Sequence, residues 1–433
     1  YLSMDTCCSV CCEKFNKTTR KKVTCPFCDY ESCKTCTQKY LISSTDNPHC
    51  MNCKHELNRS FIDSFCTKRF RNVEYKKHRE NLLFEKELAK MPETQPKVER
   101  ILRMREIRIE YHELMRYLKN IRLEKRDAII MNYPIIAYQE IELELNAKID
   151  NLVSEMNTLR SEYDEPHDIS ERRFVRVCPS EECRGFIDEN WKCGLCKQQF
   201  CKHCNEKIEE NHVCNPKTVE TITLINKDTK PCPKCGIMIH KIDGCAQMWC
   251  TSCNTAFDWR SGKIETGRIH NPHFFEFQKR SREHADIPCG GRPSFIELNE
   301  QNAPNELLDI SVILRKIDRD IMYKYGNIYD DDNNHLRISY MLKNITKEEF
   351  KIELQKRDKL KDKIQDIRDI LEMFTNAVGD FLRQWMINKT DILENIYELV
   401  EYSNEIIQGI RNRYNSSTPN FIYFPRTLVR VEV

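Results

Sequence analysis

Long α-helices alternating with small metal-stapled modules, and little regular sheet, form the fold class this sequence predicts. Two observations carry it. The cysteines gather in two blocks, residues 7–66 and 178–253, as C-x-x-C pairs at 8/11, 25/28, 33/36, 50/53, 193/196, 201/204, 232/235 and 250/253. Between and beyond the blocks, apolar residues recur at steps of three and four, the period of a helix with one buried face.

The metal follows from spacing. Two cysteines three apart on a tight turn can aim both sulfurs at one tetrahedral ion about 2.3 Å away, and such pairs make poor members of a scattered disulfide framework. Zinc in a reducing compartment is therefore expected for most of the 24 cysteines. The 433 residues suffice for two to four domains at roughly 100–200 residues each, and 40% hydrophobic content can build cores. Lys+Arg 69 against Asp+Glu 67 leaves a net charge of +2, which lacks the basic excess of a protein that coats nucleic acid. The cluster Lys17, Arg20, Lys21, Lys22 reads as a solvated loop. No apolar run reaches the length of about 18 residues that a membrane span needs, and no secretory signal opens the chain.

Taken in order, residues 68–90 read as helix ending before Pro92 and Pro96. Met104, Ile107, Tyr111, Leu114, Leu118 and Ile121 form one stripe. After Tyr133-Pro134, Tyr138, Ile141, Leu145, Ile149, Leu152, Met156 and Leu159 form another. Two stripes around a proline break predict an antiparallel hairpin or coiled coil, packed on its own modules or on a partner. Residues 155–174 read as a linker and 260–303 as loop-rich. Thr346 with Glu349 reads as a capping box. The stripe Leu360, Ile364, Ile367, Leu371, Phe374, Val378, Phe381, Trp385 and a second, Ile392, Ile396, Leu399, Ser403, Ile406, Ile410, predict a C-terminal helical hairpin. The tail from Phe421 to Val433 is β-prone with no evident partner in the chain.

The first cysteine block resembles a RING module. That resemblance implies one ion on Cys8, Cys11, Cys33 and Cys36 and another on Cys25, Cys28, Cys50 and Cys53, with Cys7 and Cys12 leaving the first register open. Cys178-x4-Cys183, Cys193-x2-Cys196, Cys201-x2-Cys204, His212 and Cys214 follow the order of an IBR module. There the ions are sequential, one on residues 178, 183, 193 and 196 and one on 201, 204, 212 and 214, with His203 a competitor for His212. Cys232, Cys235, Cys250 and Cys253 around Gly244-Cys245-Ala246-Gln247-Met248 are similar to the RING2 module of RING-between-RING ubiquitin ligases. The resemblance places Cys245 where that family's ubiquitin-accepting cysteine sits, a thiolate able to carry ubiquitin as a thioester.

Two departures stand against that chemistry. Gln247 occupies the place of the family's general-base histidine, and Asp258 and Ser261 occupy the place of its next C-x-x-C. Cys245 then reads as either a structural cysteine or the nucleophile. His270-Asn271-Pro272-His273 reads as a loop packed by Phe274, Phe275 and Phe277, the alternative being a sixth zinc on His270, His273 and Cys289.

A narrower resemblance rests on Cys25-Pro26-Phe27-Cys28, Thr94-Gln95-Pro96, Phe174-Val175-Arg176-Val177-Cys178-Pro179 and the run from Trp259 through Ile269-His270-Asn271-Pro272-His273. These resemble RING/IBR-like zinc proteins of large double-stranded DNA viruses, a group that brings no settled activity. The expected organisation is a RING1-like module over 1–66, a helical hairpin or coiled coil over 67–165, an IBR-like module over 166–220, and a degenerate RING2-like module with a loop-rich tail over 221–295. A helical bundle over 296–415 and an extended tail over 416–433 complete it. About five zinc ions are expected, at four ligands each. The leading expectation is a zinc-stabilised scaffold, a minor capsid component packaged in the virion after assembly in host cytoplasm. Its partners would be capsid proteins, and its helical arms would allow oligomerisation. The alternative is a ubiquitin ligase acting through Cys245 with a carrier enzyme as partner, and the third reading is a zinc-finger nucleic-acid binder.

Overall fold

The computed structural model describes residues 7–164, 174–209, 212–240, 246–253, 255–265, 292–325, 332–422 and 430–432. In chain order the elements are β1 (Lys22–Thr24), β2 (Glu31–Cys33), α1 (Lys34–Ser43), α2 (Arg59–Phe65), a π-helical turn Phe70–Tyr75, α3 (Lys76–Leu88), α4 (Met91–Ile130) and α5 (Ile136–Asp164). Then come β3 (Phe174–Val177), β4 (Phe186–Asp188), α6 (Pro216–Asp228), β5 (Thr229–Pro231), β6 (Met238–His240), β7 (Gln247–Cys250) and β8 (Thr255–Asp258). The rest are α7 (Phe295–Glu300), α8 (Asn305–Asp320), a second π-helical turn Ile321–Tyr325, α9 (Asn334–Met341), α10 (Lys347–Asn388), α11 (Leu393–Tyr414), β9 (Asn420–Ile422) and β10 (Arg430–Glu432). Among the described residues every sheet has only two strands. Long helices with little sheet are thus the architecture. The chain divides into two compact units: Tyr1–Leu83 with Lys279–Asp332 and Lys351–Val433, and Phe84–Gln278 with Asn333–Phe350.

In the first unit α8, α10 and α11 share one apolar core. Leu307, Ile310, Leu314 and Ile317 meet Ile367, Leu371, Phe374, Val378, Leu382 and Trp385, with Ile396, Val400, Ile407 and Ile410 closing the third side. The α10 stripe differs from expectation at two places. Leu382 rather than Phe381 is fully buried, because 3.6 residues per turn lets the stripe drift between adjacent positions. Leu360 is 49% exposed and lines a charged cleft instead. In that cleft a ladder of acids on α10 meets arginines: Arg79 with Asp358 at 2.8 Å, Arg59 with Asp362 at 2.6 Å and Arg413 with Asp366 at 2.9 Å. The ladder fastens the RING-like segment, with its small core of Val23, Leu41, Leu57, Ile62 and Phe65, to the bundle. Within the tail, β9 and β10 pair antiparallel with each other, Asn420 opposite Glu432.

The second unit is built on α4. The break expected before Pro92 falls at Ala89–Lys90, and α4 runs straight through Pro92 and Pro96. Pro92, second in the helix, lacks an N–H that would have no intrahelical acceptor anyway, whereas Pro96 lies inside the helix and forgoes the bond to the Pro92 carbonyl. α5 likewise extends to Asp164, beyond the expected start of a linker at residue 155. The two helices pair through Leu118, Ile121, Leu145 and Ile149, with Tyr111, Leu114, Tyr138, Ile141 and Val153 alongside. Arg103–Glu155 at 2.7 Å and Arg122–Glu142 at 2.7 Å bridge them in antiparallel sense.

Hydrogen bonds from Lys125 and Arg122 hold Glu142 below the usual carboxylate range, and one from Arg103 does the same for Glu155. A folded value depressed below the unfolded one means that this stabilisation is present above about pH 4.3 and is lost as pH falls through the folded value. Opening of α5, read as the amide exchange rate divided by the intrinsic base-catalysed rate at each pH, is therefore expected to increase on acidification. The increase should be smaller in the Glu142→Gln, Glu155→Gln double variant, and an equal increase in both proteins would refute the assignment.

Candidate metal centres

Six of the eight C-x-x-C turns share one backbone design. Calling the first cysteine i, its N–H donates to the carbonyl of i+5 and its own carbonyl accepts from the N–H of i+4. The first bond is Cys8 to Glu13 at 2.9 Å, Cys25 to Tyr30 at 3.0 Å, Cys50 to His55 at 2.9 Å, Cys193 to Gln198 at 2.9 Å, Cys201 to Glu206 at 2.8 Å and Cys232 to Ile237 at 2.8 Å. Residue i+4 takes positive φ each time: Cys12, Asp29, Lys54, Lys197, Asn205 and Gly236. A left-handed residue there turns the chain back so that both sulfurs face one point. Cys33/Cys36 is built differently, with Cys33 as the N-cap of α1.

This design closes the register left open by the sequence. Cys12 is the left-handed residue of its turn and is exposed, while Cys7 bridges Lys14. The ligand atoms of Cys8, Cys11, Cys33 and Cys36 come together, as do those of Cys25, Cys28, Cys50 and Cys53. So do Cys178, Cys183, Cys193 and Cys196, then Cys201, Cys204, His212 and Cys214, then Cys232, Cys235, Cys250 and Cys253, all within 4.8 Å inside each group. His212 presents Nε2 3.2 Å from Cys204 Sγ, whereas His203 is exposed and only its backbone N–H reaches Cys201 Sγ.

Sulfur separations test the fit to zinc. Four sulfurs at about 2.3 Å from a tetrahedral centre lie about 3.8 Å apart, and a disulfide would need about 2.05 Å. Observed separations are 3.9 Å for Cys11–Cys33, 3.8 Å for Cys28–Cys50, 3.8 Å for Cys178–Cys196, 3.6 Å for Cys201–Cys214 and 3.6 Å for Cys235–Cys250. The described cysteines are all free of disulfides. The described residues thus hold five clusters suited to zinc.

Electrostatics divide within the clusters: burial first pushes Cys53, Cys178 and Cys204 each up to about 12, while other members fall. Burial raises the Cys8 thiol, but N–H donors from Cys11, Val10 and Cys33 outweigh it and bring the group down to about 6. Cys201 behaves likewise, at about 6, through the N–H groups of Cys204 and His203. Such thiols ionise readily into the ligand form. Cys66, outside every cluster, is pushed up to about 11 by burial and stays a thiol.

The RING2-like module carries a seventh turn of the same design without cysteines. Asp258 N–H donates to Lys263 at 2.9 Å, Gly262 N–H donates back to Asp258 at 2.8 Å, and Gly262 has φ +66. Where the cysteine turns hold two sulfurs, this one holds Asp258 and Ser261. Asp258 Oδ1 accepts from Ser261 N at 2.7 Å, Ser261 Oγ at 2.8 Å and Arg260 N at 3.1 Å. Those donors, the Ser261 N–H first, lower the Asp258 carboxyl. The turn closes on itself by hydrogen bonds. Gln247 is buried on β7 and donates to Glu265. Cys245, His270, His273 and Cys289 lie outside the described residues.

Sequence reading missed how the IBR-like module is held. Gln95 of α4 clamps β4 with both ends of its amide, donating to Phe186 O at 3.1 Å and accepting Phe186 N–H at 2.6 Å. Gly194 sits so close that a Cβ there would overlap the Glu99 carboxylate and meet Gln95 Nε2 at 2.8 Å. Thr94 accepts from buried Arg337 at 2.8 Å. Ala89, at the end of the preceding helix, packs on Cys232, Cys235, Cys250 and Phe257 of the RING2-like module. The only signal in the sequence was the Thr94-Gln95-Pro96 string itself.

No family model matches the chain. It is 34% identical over 96 residues to the uncharacterized protein 073L of frog virus 3 (isolate Goorha), covering 22% of this chain and 30% of that protein. It is 28% identical over 128 residues to the mouse E3 ubiquitin-protein ligase ARIH2, covering 26% of this chain and 25% of the ligase. With the human E3 ubiquitin-protein ligase RNF144A it shares 29% identity over 104 residues, 19% of this chain and 35% of the ligase. The chain thus spans about a quarter to a third of the length of these relatives. No described helix is long and apolar enough to cross a membrane. The five cysteine-rich clusters among the described residues fit RING/IBR-like zinc modules, and the chain is similar to a frog virus 3 protein and, at lower identity, to RING-between-RING E3 ubiquitin ligases.

Proposed function

We propose that this chain is a zinc-stapled scaffold, a structural component of a large DNA virus particle that joins larger protein partners through its modules and helical arms. In this reading Cys8/Cys11/Cys33/Cys36, Cys25/Cys28/Cys50/Cys53, Cys178/Cys183/Cys193/Cys196, Cys201/Cys204/His212/Cys214 and Cys232/Cys235/Cys250/Cys253 each hold one zinc. The metal supplies fold rather than chemistry. The observation that carries the reading is the self-closed Asp258–Ser261 turn. At the position of a family metal pair the module keeps the backbone design but closes it with hydrogen bonds, and the base position holds Gln247, which accepts no proton near neutral pH. Assembly in a reducing compartment belongs to the same proposal, since paired disulfides would remove the ligands.

A second reading, favoured by the module order and the similarity to E3 ligases, is ubiquitin transfer. The Cys245 thiolate would attack the carrier's ubiquitin thioester, the carrier's cysteine would leave as thiol, and a lysine amine would then take the acyl group. One experiment separates them. Full-length zinc-loaded protein mixed with ubiquitin-charged carrier enzymes is expected to form no reducible adduct, and to co-purify in fixed stoichiometry with assembled particles. A thioester lost in Cys245→Ala and trapped as an oxyester in Cys245→Ser would overturn the scaffold reading.

A further inference from the structure

The hairpin of α4 and α5 ends in a surface that neither reading uses. From Ala128 to Gln139 there is no Asp, Glu, Lys or Arg, in a chain that is 31% charged. The side chains there are not buried: Ile129 is 53% exposed, Ile130 73%, Met131 66%, Tyr133 64% and Ile136 67%. At about 200 Å² per large side chain this amounts to on the order of 600 Å² of contiguous apolar surface, at the upper end of what a monomer shows without a binding role. We propose that this tip is a lipid-docking surface, which seats the chain on a bilayer by shallow insertion without crossing it.

Three properties favour lipid as the occupant. The tip is the convex end of a two-helix arm, and two such tips could meet over only part of their area. That leaves a second copy short of the roughly 1,200 Å² total that a stable protein interface buries, whereas acyl chains conform to a knob. Part of the turn's backbone is already bonded: Met131 N–H donates to Asp127 at 3.0 Å, Asn132 to Ile129 at 3.2 Å and Tyr133 to Ala128 at 2.9 Å, while Pro134 has no N–H to desolvate. That lessens what shallow insertion would leave unpaired in an apolar medium. Tyr133, 64% exposed, provides an amphipathic ring of the kind that sits at the headgroup level. The stretch is far shorter than the roughly 20 residues of a span, so it rests in the interface.

Charge does not select the lipid. Next to the tip, Lys119, Arg122, Lys125 and Arg126 are balanced by Glu124, Asp127, Glu140, Glu142 and Glu144. Binding should therefore occur on neutral bilayers and change little with salt.

The test uses zinc-loaded full-length protein and phosphatidylcholine vesicles, read by flotation. The wild type is expected to float with the vesicles at low and high salt, and a Tyr133→Trp variant to shift its emission to the blue on mixing. Ile130→Asp with Met131→Asp should lower partitioning by about tenfold or more for each side chain replaced while keeping the zinc content of the wild type. Failure to float, unchanged flotation of the double variant, or a lipid-free dimer that dissociates when the tip is substituted would each overturn the proposal.

Discussion

Chelating zinc under reducing conditions is expected to unfold residues 8–53 and 178–253 while α8, α10 and α11 remain helical. The reason is where apolar burial lies. Apart from cysteine, the described residues of the IBR-like module bury Phe174, Phe186, Ile187 and Phe200, and those of the RING2-like module Trp249, Ala256 and Phe257, with Ala89, just before α4, beside them. Neither is a core that could offset the entropy of ordering its loops. Structural zinc contributes on the order of 10–16 kcal/mol per site in isolated zinc modules at neutral pH. The bundle, by contrast, buries sixteen apolar residues of its own. About five ions per chain should be released, four ligands to each. Cys201→Ala should lower the count by one and Cys66→Ala leave it unchanged. Loss of the near-ultraviolet signal of Trp191 and Trp249, with much of the helical signal kept, is the expected spectrum. A full near-ultraviolet signal after complete zinc removal would mean that apolar packing organises these modules.

Replacing Arg337 with methionine is expected to destabilise the second unit by about 3–5 kcal/mol. Arg337 is 3% exposed and paired with Glu87, itself 6% exposed, while its Nε donates to Thr94 at 2.8 Å. Asn333 also donates to Glu87, at 3.1 Å. Removing the cation leaves a carboxylate inside the protein with one amide for company, and an unpaired buried charge costs more than the pair contributed. Substituting both partners, Arg337→Met with Glu87→Leu, removes the orphan and should recover most of the loss. Urea unfolding followed by the fluorescence of Trp191, Trp249 and Trp259 reads both variants. A double variant as unstable as the single one would place the damage in packing rather than in the stranded charge.

Much of this protein was readable in one dimension. The stripes through Leu118, Ile121, Leu145 and Ile149 and through Ile367, Leu371, Phe374 and Val378 mark the buried faces that the helices present. The Thr346–Glu349 capping box forms as written, with bonds of 2.8 and 3.1 Å. The order of the cysteine pairs foretold which sulfurs gather. Cys12 was ambiguous because only the backbone shows it to be the left-handed residue of its turn. The reach of α4 through Pro96 was misjudged because the bond that an interior proline forgoes is tolerated beside the buried contacts of Thr94 and Gln95, which the sequence does not show.

By itself the sequence determined that this protein is helical, with sulfur-rich modules suited to zinc. Both properties are local: a helix repeats every 3.6 residues, and a metal turn needs two cysteines three apart. Only the tertiary structure decided that Gln95 holds β4 from 91 positions away, that Arg337 finds Glu87 across 250, and that β9 closes on β10. Such contacts depend on which surfaces meet once the helices and modules exist, and no spacing rule encodes that meeting. The Asp258 turn lies between the two cases. Its residues are local, yet only hydrogen-bond geometry showed that Asp258–Gly262 takes the backbone form of the cysteine turns.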